Sequence, residues 1–135
     1  MKGSIIQQKS YDFASRIVKA YKFLVNEQRE YVLSEKLLRS GTSIGANVEE
    51  ALAASSTADF IHKLNIAAKE ARETSYWLRL LHDNDFLPES AFESIHAHNL
   101  EITKILSSIL LTTKEKQNPQ TPPTHNSYLK THNSI

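Results

Sequence analysis

Apolar residues recur at helical spacing along most of the chain, and the gaps between the stripes divide it into four segments. The first runs from about Lys9 to Val25, with Ala14, Ile17, Val18, Tyr21, Leu24 and Val25 at the intervals of one buried helix face. Asn26, Glu27, Gln28, Arg29 and Glu30 then interrupt the pattern without a glycine or proline. A second stripe follows as Leu33, Leu37, Ile44, Val48 and Leu52, with Gly41 and Gly45 inside it. Two small residues four apart on a helix mark close packing against a neighbour. The small, polar run Ala53 to Thr57 is the next break. Ser56, three residues before Asp59, has the spacing that caps the free N–H groups of a helix start. The third segment carries Phe60, Ile61, Leu64, Ala67, Ala68, Ala71, Ser75 and Leu78, and Asp83, Asn84 and Asp85 end it. Pro88 suits the first turn of a fourth helix, whose stripe is Ile95, Asn99, Ile102, Leu106 and Ile109.

No alternating strand pattern of useful length appears, and three glycines with four prolines are too few for the turns of a sandwich or barrel. The expected fold is all-α: an antiparallel four-helix bundle over residues 1–116 with a disordered C-terminal tail over 117–135. That tail is polar and rich in Pro, Thr and Asn, and its Thr-His-Asn-Ser tetrapeptide occurs twice. With 135 residues there is room for one domain, and 40% hydrophobic residues can furnish its core. Zero cysteines exclude disulfides and thiol chemistry. No apolar run is long enough to span a membrane. These features predict a cytoplasmic protein with no membrane partner.

Candidate chemistry is thin. Glu93 and His96 match the Glu-x-x-His pair of metal-binding bundles, but those sites need a second such pair, and none exists. No motif sets a serine beside a base, and Gly41 to Gly45 lacks the lysine of a phosphate loop. The sequence therefore predicts no catalytic residues, no metal and no cofactor. Basic residues offer more. The formal net charge is only +1, yet residues 1–54 hold eight Lys/Arg against six Asp/Glu. Arg16, Lys19 and Lys22 on the first helix and Lys36 and Arg39 on the second are the candidate phosphate contacts of a basic strip.

The segment from Leu38 to Ala51 resembles the signature of the bacterial four helix bundle protein family, whose members are encoded in intervening sequences of 23S ribosomal RNA genes. Arg39, Ser43, Ile44, Asn47 and Glu50 match that signature, with Val48 for isoleucine, Gly45 where many members have proline and Ala51 where many have glycine. Phe60 to Ala67 and Ala71 to Thr74 resemble the family's third helix. The resemblance implies a four-helix bundle that assembles as a homopentamer without established enzymatic activity. A similar fold serves the accessory protein of diversity-generating retroelements, a basic pentamer that binds nucleic acid and a reverse transcriptase.

Two functional expectations follow. One is a non-enzymatic, self-associating scaffold; the other is an accessory that binds RNA or DNA through the five basic residues. Self-association also has an independent argument. On a helical wheel of the third segment, Ile66, Trp77 and Leu80 fall opposite Leu64, Ala71 and Leu78, with Glu73 among them and Tyr76 nearby. A bundle helix buries one stripe, so this second apolar group suits an oligomer interface. Asn47, a poor helix former at the edge of the second stripe, is expected to hydrogen-bond across helices or to a nearby backbone group.

Overall fold

The computed structural model describes residues 2–117, with side chains from residue 5 onward. The tail lies outside the described residues, apart from Gln117, which ends the last helix. Four helices make up the fold, and no strand occurs among the described residues: α1 Lys2–Asn26, α2 Leu33–Leu52, α3 Thr57–Asp83 and α4 Glu89–Gln117. Each packs antiparallel against its neighbours in sequence, and α4 closes onto α1, leaving α1/α3 and α2/α4 as the diagonals of the bundle.

The uncapped stretch after α1 is a turn built without glycine. Arg29 takes φ 56°, a left-handed conformation that costs a side-chain-bearing residue about 1 kcal/mol. It lets the Glu30 N–H reach back to the Leu24 carbonyl at 3.0 Å, the closing bond of a helix C-terminus. Glu30 then starts the next helix. Its carboxylate accepts the backbone N–H groups of Leu33 at 2.9 Å and Ser34 at 2.7 Å, putting negative charge on the positive end of α2. Ser56 caps α3 by accepting the Asp59 N–H at 3.1 Å, as its spacing predicts. Asp85, at φ 67°, repeats the left-handed exit after α3. Pro88 stands just before α4 rather than inside it, and its carbonyl accepts the Phe92 N–H at 2.9 Å.

The core runs the length of the bundle, and Phe13, Ile17 and Leu24 of α1 meet Leu37 and Ile44, Leu64 and Leu78, and Ile102 and Leu106 in it. The α1 stripe differs from the sequence expectation. Ile6, Ser10, Phe13, Ile17, Ala20 and Leu24 are buried, whereas Ala14, Tyr21 and Val25 are half-buried and Val18 is exposed. In α4 the stripe ends on Leu110 rather than Ile109, because a helix of 3.6 residues per turn drifts off a seven-residue repeat. Asn99 is buried in this stripe and donates its amide to the Ala71 carbonyl at 2.9 Å, tying α4 to α3 at one register. A one-turn slip would strand that amide in the core, which costs about 1–3 kcal/mol.

Candidate interaction site

Of the five motif residues, Ile44 is fully buried in the core. The other four, Arg39, Ser43, Asn47 and Glu50, recur every three or four residues and so share one side of α2. That side turns toward α3. The Arg39 guanidinium reaches Glu73 at 2.5 Å and Glu70 at 3.6 Å. Glu73 also accepts the Trp77 indole N–H at 3.0 Å, and the Lys36 ammonium lies 5.7 Å from the Trp77 ring centroid. The hydrogen bond from Trp77, opposed by desolvation and reinforced by Arg39, holds the Glu73 carboxyl below its ordinary range. Ser43 donates to the Arg39 carbonyl at 2.6 Å and Asn47 to the Ser43 carbonyl at 2.8 Å. Asn47 thus finds a backbone partner within its own helix. Beneath this surface the buried hydroxyls of Ser40 and Thr74 are hydrogen-bonded across helices at 3.0 Å. Neither hydroxyl stands out in the sequence, since only the pairing of α2 with α3 brings them together.

The candidate phosphate contacts divide. Arg16 turns to α4, donating to the Ser94 hydroxyl at 2.7 Å with its other nitrogen 3.3 Å from His98 Nδ1. Lys36 and Arg39 turn the other way, to α3. Arg16 therefore faces one edge of the α1/α2 layer, and Lys36 and Arg39 face the other. Lys19 and Lys22 are exposed and form no ion pair among the described residues. Lys19 and Arg16 border an open, apolar groove of about 370 Å³ between α1 and the start of α4, floored by Ala20, Phe23, Leu87 and Ile95.

Glu93 and His96 do not form a ligand pair. The His96 Nε2 is 2.9 Å from the Ser75 hydroxyl of α3, and its ring stacks on Phe92. His82 stacks on Phe92 as well, at 4.2 Å, with its Nε2 2.6 Å from Glu89. No group of three metal-ligating side chains occurs among the described residues. The hydrogen bond to Glu89 raises the His82 pKa, while burial lowers that of His96. A raised imidazole pKa stabilises the fold below the unfolded value of about 6.5 and loses that contribution as pH climbs through the folded value. His82→Gln is therefore expected to lower the melting midpoint more at pH 6 than at pH 8.5, read by circular dichroism. Equal losses at both pH values would mean that the charge of His82 contributes nothing.

Ile66, Trp77 and Leu80 all lie on the outer side of α3. The Trp77 ring is half-buried against the edge of the core, while Ile66 and Leu80 are half-exposed and lie outside it. Tyr76, 48% exposed, meets Trp77 edge-on at 4.9 Å.

Residues 2–108 match the family profile described as 23S rRNA-intervening sequence protein. Among solved structures, the chain is similar to the crystal structure of a protein of unknown function from the S23 ribosomal protein family of Bacteroides thetaiotaomicron. The two share 56% identity with a TM-score of 0.80, over 82% of this chain and 98% of that one. No curated protein matches.

Proposed function

Because the chain belongs to the 23S rRNA-intervening sequence protein family, we propose that it is a non-enzymatic, self-associating helical bundle, a homopentamer on the family resemblance. The observation that carries this reading is the outer face of α3, where Ile66, Tyr76, Trp77 and Leu80 remain partly in water. A large indole beside tyrosine, with its N–H already satisfied by Glu73, is the kind of group that anchors protein interfaces. The motif residue Arg39 supports it from α2 by fixing Glu73 in place.

The nucleic-acid reading keeps Lys19 and Lys22 as cations without an ion pair among the described residues, while Arg16, Lys36 and Arg39 are engaged within the bundle. Two lysines one turn apart on α1 make a small phosphate footprint. The cytoplasm is the compartment we assign to the scaffold, which has no helix long and apolar enough to cross a membrane among the described residues.

Ile66→Asp tests the scaffold directly, since Ile66 lies outside the core cluster and its replacement is expected to spare the fold. Light scattering is expected to show the assembly dissociating, with the helical circular dichroism signal retained. An unchanged mass would remove this face from the interface. A gel shift with single- and double-stranded RNA and DNA at low salt tests the other reading. Tight binding that weakens on Lys19→Glu/Lys22→Glu would favour the accessory role.

A further inference from the structure

The groove between α1 and the start of α4 is apolar along its floor and cationic at its edge. Ala20 and Phe23 of α1 line it with Leu87, Pro88, Ala91 and Ile95, around a space of about 370 Å³. That volume falls in the range of small-molecule sites, about 300–1,000 Å³. From Arg16 to Phe23 the groove follows about two turns of α1, roughly 10 Å. A specific protein–protein contact needs about 800 Å² from each partner, more than a trough of two helical turns supplies. An alkyl chain fills such a trough and asks for no polar partner along its length.

Both charged residues that line the groove are cations. Lys19 is exposed and forms no ion pair among the described residues. The Arg16 guanidinium is held by neutral groups, the Ser94 hydroxyl at 2.7 Å and His98 Nδ1 at 3.3 Å. Burial, and then the Arg16 charge itself, lower the His98 pKa, so that ring is uncharged at neutral pH.

The surrounding charges leave this rim positive. Asp12, one turn before Arg16, accepts the Gln8 amide at 2.9 Å, and Glu101 is paired with Lys9. Glu89 reaches across to His82 of α3, and Glu93 shares that side of α4 four residues on. Glu27, one turn past Phe23, and Asp85, two residues before Leu87, are exposed, and neither lines the groove. Lys22 projects about 100° around α1 from Phe23, outside it.

An apolar trough with two cations toward one end suits an amphiphile of opposite charge. We infer that the groove binds a medium-chain fatty acid anion, its tail over Phe23, Leu87 and Ile95 and its carboxylate toward Lys19 and Arg16. The site lies away from the outer face of α3, so it stands or falls apart from self-association.

Titrating hexanoate, octanoate and decanoate into the full chain, by calorimetry and methyl NMR, tests this. Decanoate is expected to saturate the protein with a Kd near about 0.1 mM. It should shift the methyl signals of Ala20, Ala91 and Ile95 and leave that of Ile66, on α3, in place. Affinity is expected to rise about twofold to fourfold per added methylene. Decylamine, the same tail behind a cationic head, is expected to bind weaker by about fivefold or more, and Lys19→Glu to weaken decanoate by about fivefold. Ala91→Leu, which places a branched side chain in the groove, is expected to abolish binding with the helical circular dichroism signal retained. Should that variant unfold, Lys19→Glu at its exposed position decides alone, and unchanged affinity would overturn the proposal. Equal affinities for decanoate and decylamine, methyl shifts confined to α3, or no saturable binding by about 5 mM would overturn it as well.

Discussion

Replacing Phe13 with Ala is expected to destabilise the bundle by about 3–5 kcal/mol, the usual cost of deleting a buried phenyl ring. Phe13 heads the fully buried side chains by volume, with 0% of its surface exposed. Its ring meets the edge of His98 at 5.2 Å, so it also joins α1 to α4. The cavity left behind cannot be filled cheaply, because helix backbones on every side are fixed by their own hydrogen bonds. Domains of this size are stable by only about 5–15 kcal/mol, so the variant sits near the unfolding threshold. Urea unfolding followed by circular dichroism measures the loss. A cost below about 1 kcal/mol would mean that Phe13 is not in the core.

Gly41→Ala is expected to cost about 1–3 kcal/mol, although alanine is the better helix former. A methyl group at Gly41 would lie 2.8 Å from Cγ1 and 2.9 Å from Cγ2 of Ile17, which is itself wholly buried and has nowhere to retreat. A methyl group at Gly45, one turn on, would lie 3.3 Å from the Ser10 carbonyl oxygen, so α1 and α2 approach closely along two turns. The Ile17 background separates this clash from a backbone effect. Ile17→Ala removes the atoms that the new methyl would strike, so Gly41→Ala should cost less there than in the wild type. Equal costs in both backgrounds would place the penalty elsewhere.

The close approach is legible in the sequence as two glycines four apart, and the Ser56 cap as a hydroxyl three residues before a carboxylate. The α1 core is less so. Two apolar seams one position apart blend in a linear reading, and Val18 and Val25 look as buried as Ile17 and Leu24. Phe13 escapes the stripe for the same reason. Thr74 rather than Ser75 faces inward on α3, because its hydroxyl finds both the Glu70 carbonyl and Ser40, a satisfaction that no wheel displays. Of the candidate site, spacing places Arg39, Ser43, Asn47 and Glu50 on one side of α2. What that side meets depends on long-range pairing: Arg39 acquires Glu70 and Glu73 only once α3 is known to lie beside it. The basic residues show the converse. Arg16 and Arg39 belong to neighbouring helices, yet each is drawn to polar groups on a different partner, and no strip forms.

The account centres on self-association, and the molar mass of the untagged chain in solution tests it most directly. Multi-angle light scattering across a dilution series from about 100 to 1 micromolar is expected to give one constant mass, an integral multiple of 15.3 kDa greater than two. A constant mass of a single chain over that range would contradict it.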